Sequence, residues 1–265
     1  MHRKILIIDD HDDLASSLNE VFTHGGHNVT VVGDGSPLPL PDQLNSFDLV
    51  ITDIDVDQNP LMNKNGNSRP CLPRDTKRHE GEQTKAFKIC ASTFSRNGFD
   101  EEELKGLVAT VLDYKIRFVD TDEYVHDLHE YIEFEVPSAL SLMHIVLEYL
   151  LKRVEKLGVV KCEQSNLFVA LDEAFVNAIK HGNKFDSSKL VRITAEVSRK
   201  EARFTVEDEG EGFDVNNVPD PRDPLNLLKT SGRGVLFIYN IMDEVKYNER
   251  GNRLTMIKRG EPNVG

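Results

Sequence analysis

Seven residues near the carboxyl end of the chain have the types and order that a nucleotide pocket needs. A carboxylate can orient or deprotonate a nucleophile, and an amide oxygen is a neutral ligand that suits Mg²⁺. A second carboxylate can accept a hydrogen bond from the amino group of adenine, and free backbone N–H groups after glycines attract phosphate. The pattern therefore predicts binding of ATP with Mg²⁺ by Glu173, Asn177, Asp208, Gly210, Gly212, Gly232 and Gly234.

The first two of these residues lie on a predicted amphipathic helix. Apolar residues recur at three- and four-residue steps through 164–183, and Gly182 is a suitable stop. Glu173, Asn177 and His181 follow one another at intervals of four, which places them on one helix face. Taken alone, this polar row fits a solvent-exposed helix face as well as a nucleotide site. The segments that follow in the sequence favour the nucleotide site.

Two glycine-bearing loops follow the helix. Alternating patterns at 191–197 and 203–207 predict a β-hairpin that leads into the acidic loop 208–213. Glycines in that loop would let a ring approach the backbone, although Asp and Gly also dominate ordinary turns. A Gly-Arg-Gly sequence then opens an apolar helix pattern, after an aperiodic segment, 214–230, that has the composition of a mobile lid. A closing hairpin is predicted over 244–257.

Together these segments resemble the GHKL ATPases, and most closely the anti-sigma-factor serine/threonine kinases within that superfamily. The resemblance rests on the motifs DEAFVNAIKHGN, DEGEGFD and DPLNLLKTSGRGVLFIYNIMDEV, and it covers residues 131–260. It implies an α/β-sandwich kinase domain with a first strand at Ile132–Pro137 and a first helix at Leu140–Leu157.

The resemblance also implies roles. Glu173 would be the general base, Asn177 the Mg²⁺ ligand and Asp208 the residue that recognises adenine. The lid and phosphate loops would be formed by Gly210, Gly212, Gly232, Arg233 and Gly234. Members of this family phosphorylate a serine or threonine on a small antagonist protein and sequester a sigma factor.

Two other functions are alternatives. One is a non-enzymatic module that holds an antagonist or a sigma-factor-like protein, with structural nucleotide or none; it would have no need of the Glu173 and Asn177 pair. The other is a histidine kinase, which is disfavoured because no histidine is followed by the expected Glu and Pro. The histidines considered are His126, His129 and His144.

The amino-terminal third carries three carboxylates at predicted strand ends. An apolar run at 4–8 delivers Asp9 and Asp10, and another at 49–52 delivers Asp53. Carboxylates that converge there form a hard oxygen site for Mg²⁺. This segment resembles a shortened flavodoxin-like receiver domain of response regulators, with Asp53 as phosphoacceptor and Asp9 and Asp10 as metal ligands.

The receiver resemblance weakens after Asp53. Residues 57–86 show neither a helix nor a strand pattern, and the run 88–93 fits either the fifth strand or the fourth. In the fifth-strand register no lysine occupies the family position, and Arg96 is the nearest cation. A phosphorylatable receiver, supplied by an upstream histidine kinase, and a degenerate one that only binds partners both remain open.

Composition limits the remaining possibilities. The 265 residues suffice for two domains, predicted as 1–113 receiver-like, 114–130 linker or helical extension, and 131–260 kinase. Such extensions often carry dimer contacts, so a homodimer is a further expectation. The net charge of −13 argues against a nucleic-acid partner. Three cysteines without paired spacing, no signal peptide and no long apolar run predict a cytoplasmic protein without membrane contact.

Overall fold

A computed structural model gives the fold as two compact units, Met1–Pro137 and Ser138–Gly265. The structure describes residues 2–33, 36–37, 39, 41–56, 83–120, 128–160, 166–214 and 233–260. No helix among these residues is both long enough and apolar enough to cross a membrane.

The amino-terminal unit is a sheet with the strand order β2-β1-β3-β4-β5. β1 pairs in parallel with β2 and β3, whereas β4 is antiparallel to β3 and parallel to β5. The elements are β1 (Lys4–Asp9), α1 (Ala15–His24), β2 (Asn28–Val32), α2 (Pro41–Leu44), β3 (Leu49–Asp55), β4 (Gln83–Cys90), α3 (Glu101–Tyr114) and β5 (Leu128–Pro137).

Hydrophobic patterning explains this part of the fold. β1 is a continuous apolar run whose residues 5–8 are buried, as expected for a strand covered on both faces. α3 presents a stripe of leucines and valines to the core, and its N-cap residue Asp100 accepts a hydrogen bond from the backbone N–H of Glu103 at 3.1 Å. A π turn, Lys115–Val119, continues α3.

The fourth strand departs from the expected receiver pattern. β2, β1 and β3 follow the flavodoxin-like order, but a strand of a parallel flavodoxin-like sheet would not run antiparallel to β3 as β4 does. The prediction of no regular structure over 57–86 is wrong for residues 83–86, which begin β4; residues 57–82 lie outside the described part. The mixed α/β class is confirmed, and the receiver-like domain stays a prediction.

In its described residues, the carboxy-terminal unit combines three α-helices with an antiparallel sheet of order β6-β7-β9-β8. Its elements are α4 (Leu140–Lys156), α5 (Leu167–Val176), β6 (Leu190–Val197), β7 (Glu201–Asp208), α6 (Arg233–Ile241), β8 (Glu244–Tyr247) and β9 (Arg253–Arg259). Every second residue of β6 is buried, so the alternation in the sequence corresponds to one covered sheet face.

The predicted elements of this unit are present, while the domain limits stay predictions. Both hairpins and the helix at Leu140 agree with the sequence to within two residues at most ends. Ile132–Pro137, expected as the first strand of the kinase domain, belongs to β5, which pairs with β4 in the amino-terminal unit.

Candidate functional site

The candidate base and metal ligand lie at the end of one helix. α5 buries its apolar side and leaves Glu173 and Asn177 partly exposed. A π turn, Asn177–Gly182, continues the helix, and the N–H of Asn183 donates to the carbonyl of Ala178 at 2.8 Å. His181, the third residue of the predicted polar row, is exposed within this π turn.

Asp208, at the end of β7, is held against the last residue of that π turn. A Cβ on Gly182 would overlap the Asp208 carboxylate, and a Cβ on Gly210 would overlap the carbonyl of Gly182. The carboxylate of Asp208 accepts a hydrogen bond from the N–H of Gly210 at 2.8 Å. The sequence indicated Gly182 only as a helix stop, whereas the fold shows that its missing side chain makes room for a carboxylate.

Partial burial affects how readily Asp208 ionises. Burial raises the pKa of this carboxyl group, and the Gly210 N–H and the Arg250 guanidinium only partly oppose the rise. The Arg250 side chain also donates to the carbonyl of Gly210 at 2.8 Å. The site therefore holds a half-buried carboxylate that gains from a hydrogen-bond donor on a ligand.

Two further glycines join the acidic loop to the turn between β8 and β9. Gly212 and Gly251 both have φ +77, the left-handed region that favours glycine. A Cβ on Gly212 would overlap the backbone of Arg250, and one on Gly251 would overlap that of Phe213. These glycines let two backbones approach, which is a different use from the ring approach inferred from the sequence.

Glu173 meets the second glycine segment. A Cβ on Gly234 would overlap the Glu173 carboxylate, so that carboxylate lies at the first turn of α6. Helix starts carry free N–H groups and a positive dipole end, which favour anions. Gly232, the Arg233 side chain and residues 215–230 of the predicted lid lie outside the described residues.

The three carboxylates of the amino-terminal unit do not share one role. Asp9 is buried and accepts from the N–H groups of Leu14 and Ala15, both at 2.8 Å, which caps the start of α1. Asp10 accepts from the N–H of Asp55 at 2.8 Å. In the described part of the chain, the group of possible metal ligands here is Asp9, Asp10 and His11, whose ligand atoms lie within 4.8 Å of one another. Asp53 is outside that group.

Asp53 instead pairs with a lysine that sequence reasoning missed. The ammonium of Lys115, in the π turn after α3, lies 2.7 Å from the Asp53 carboxylate and 3.1 Å from that of Asp120. The sequence indicated Arg96 as the nearest cation, and the structure corrects this because the cation beside Asp53 is Lys115. The signal available was that Lys115 continues the stripe of Val108 and Val111 on the buried face of α3.

Burial and neighbouring charges shift both members of this pair. Burial raises the pKa of Asp53 to about 6, Lys115 opposes the rise and repulsion by Asp120 adds to it. Burial lowers the pKa of Lys115, but attraction to Asp53 and Asp120 outweighs it, so the net shift is upward. Two anions stabilise the charged form of Lys115. For Asp53, one cation stabilises the charged form and one anion destabilises it.

We expect Asp53→Asn to change how stability depends on pH. Because the folded pKa of about 6 exceeds the ordinary value of 3.8, ionising Asp53 lowers the wild-type free energy of unfolding as pH rises from about 4 to about 6. The melting temperature of Asp53→Asn relative to wild type should thus rise by roughly 5 °C between pH 4.5 and 7. An equal difference at both pH values would contradict this, and Asp113→Asn, on an exposed pair, is the control.

Comparisons with known proteins concern the carboxy-terminal unit. A family model described as a histidine kinase-like ATPase domain matches residues 137–258. An anti-sigma F factor of Clostridium perfringens is 36% identical over 104 residues, which are 37% of this chain and 73% of that protein. The serine-protein kinase RsbW of Staphylococcus epidermidis is 27% identical over 137 residues, 49% of this chain and 86% of the relative. The RsbW of Oceanobacillus iheyensis is 25% identical over the same length, covering 87% of its own chain.

Proposed function

Because the chain belongs to the family of histidine kinase-like ATPases that includes the anti-sigma F factors, we propose that its carboxy-terminal unit is an ATP-dependent protein serine/threonine kinase. Its partner is an antagonist or a sigma-factor-like protein, the kind of partner expected for a relative of anti-sigma factors. Support comes from the family and from two contacts in the fold, Glu173 with Gly234 and Asp208 with Gly182.

One observation carries the proposal. α5 with its π turn contacts both glycine segments: Glu173 lies against Gly234 at the start of α6, and Gly182 lies against Asp208 at the end of β7. Segments that are separate in the sequence thus meet along one helix. The carboxylate for the base and the helix start for phosphate lie together beside α5, and the acceptor for the nucleobase lies at the far end of its π turn. A nucleotide laid along the helix requires this arrangement.

The residues would divide the reaction as follows. Asp208 accepts a hydrogen bond from the adenine amino group, and the N–H groups at the start of α6 face the phosphates. Asn177 supplies a neutral oxygen ligand for Mg²⁺, which when bound neutralises charge on the phosphates. Glu173 takes the proton of the serine or threonine hydroxyl. The oxygen of that hydroxyl then bonds to the γ-phosphorus, the bond between the γ-phosphorus and the bridging oxygen breaks, and ADP leaves.

Titration calorimetry with ADP and a non-hydrolysable ATP analogue in Mg²⁺ tests the nucleotide site, and labelled ATP tests the transfer. We expect micromolar binding and acid-stable phosphate on the antagonist or sigma-factor-like protein. Acid-labile, base-stable phosphate would identify a histidine acceptor instead. Absence of binding by the folded protein would favour the non-enzymatic partner-binding module.

A second proposal concerns the amino-terminal unit, as a receiver-like regulator in which Asp53 accepts a phosphoryl group. The observation that favours it is Lys115, because its ammonium 2.7 Å from Asp53 places a cation where phosphoryl oxygens would form. Asp9 pairs in register with Asp53 across β1 and β3, and Asp10 follows it. These two carboxylates would hold Mg²⁺ beside the acceptor. Asp9 would then bind the ion in place of the hydrogen bonds by which it caps α1.

Exposure to acetyl phosphate with Mg²⁺ should add one phosphoryl group to the wild-type protein, measured by intact mass. Asp53→Asn should prevent the addition, because an amide oxygen is a poor nucleophile, while Asp113→Asn should not. Unmodified wild-type protein under conditions that label a known receiver would instead support a degenerate domain that only binds partners.

A further inference from the structure

The peptide unit that follows Asp208 is held on both sides by asparagine side chains. The N–H of Glu209 donates to Asn183 Oδ1 at 2.9 Å. The carbonyl of Asp208, in the same peptide unit, accepts from Asn252 Nδ2 at 2.7 Å. Asn183 is fully buried and Asn252 nearly so. Both polar groups of one peptide bond are thus fixed by carboxamides, from the end of the π turn on one side and the start of β9 on the other.

Asn183 uses its whole carboxamide in this arrangement. Besides accepting from Glu209, its Nδ2 donates to Ser138 Oγ at 2.7 Å and to the carbonyl of Leu190 at 2.9 Å. The residue therefore links the segment before α4, the start of β6 and the end of β7. An aspartate could not make the two donor bonds, and a buried group left without its hydrogen bond destabilises the fold.

Asn252 is braced in turn. Its Oδ1 accepts from Asn248 Nδ2 at 3.0 Å, and its own backbone carbonyl accepts from the N–H of Asp208 at 3.0 Å. The side chain that holds Asp208 is consequently fixed before any ligand arrives. Since Gly182 limits the carboxylate itself, both the backbone and the side chain of Asp208 have little freedom.

We infer that Asn183 and Asn252 are positioning residues that preset the Asp208 carboxylate for the amino group of an adenine nucleotide, and so determine selectivity for adenine over hypoxanthine. The inference rests on the proposed ATP site. Holding an acceptor in its bound direction removes the ordering cost from the binding step, so the benefit appears only for ligands that use that acceptor. Both carboxamide oxygens already accept hydrogen bonds, from the N–H of Glu209 and from Asn248 Nδ2, which leaves the adenine amino group to Asp208.

If the two asparagines preset Asp208, replacing either one should change the affinity for ADP but not the affinity for inosine diphosphate. ADP has the exocyclic amino group that Asp208 would accept from, whereas inosine diphosphate lacks it. Asn183→Ala and Asn252→Ala should each weaken ADP binding about tenfold and leave inosine diphosphate within about twofold, so the ADP preference of the wild type shrinks. A merely structural loss would lower both affinities alike.

Calorimetric titration of the full chain with both nucleotides and Mg²⁺ provides the test. Val197→Ala is the matched control, because Val197 is fully buried at the opposite end of the same hairpin, where it pairs with Ala202; it should lose stability yet keep the ADP preference. If Asn183→Ala does not fold, Asn252→Ala decides. An unchanged preference in a folded variant overturns the inference, whereas absence of ADP binding by the wild type would contradict the proposed site itself.

Discussion

Glu173→Gln is expected to reduce phosphoryl transfer by about 10²–10⁴-fold while ADP affinity stays within about twofold of wild type. Glutamine has the shape of glutamate and can keep the contact with Gly234, but it cannot take up the hydroxyl proton. The variant thus tests the role of Glu173 in phosphoryl transfer separately from nucleotide binding. Single-turnover transfer from γ-labelled ATP to the partner, together with calorimetry, measures both quantities.

Asp172→Asn is the matched control for that experiment. Asp172 precedes Glu173 on α5 and is also partly exposed, so the substitution removes a neighbouring charge without touching the proposed base. It should leave transfer unchanged. Wild-type transfer by Glu173→Gln would remove the base assignment, and loss of ADP binding in that variant would mean that Glu173 supports the pocket instead.

Asp208→Asn is expected to weaken ADP binding by roughly 10- to 100-fold. A hydrogen bond to a charged acceptor contributes about 1.5–3 kcal/mol, and an amide that fits the same space against Gly182 loses that charge. Glu211→Gln, an exposed change in the same loop, is the control and should bind ADP normally. Equal ADP affinity for Asp208→Asn and wild type would mean that another group recognises adenine.

The pKa of Asp208 adds a test by pH. Because burial raises this pKa, protonation removes the charged acceptor at a higher pH than for an ordinary aspartate. ADP affinity of the wild type should therefore fall on acidification, and Asp208→Asn should lack that component. Calorimetry over a pH series on both proteins measures the difference, since other titrating groups affect the two proteins alike.

Local periodicity was sufficient to predict the elements that carry the proposed nucleotide site. The three- and four-residue period around Glu173 and the alternation before Asp208 depend on which side chains face the core, and a single segment reveals that. The short apolar run at β1 likewise indicated a buried strand. In each case the signal and the structure lie within a few consecutive residues, so the sequence determined them directly.

Only the tertiary structure decided which distant groups meet. Lys115 reaches Asp53 from 62 residues away, and Asn183 and Asn252 reach one peptide unit from two different elements. The antiparallel direction of β4 and the contact of Gly182 with Asp208 are of the same kind. A local pattern states that a residue is buried or that a turn can form. It does not state the partner, because strand order, direction and loop closure are settled only when the whole chain packs.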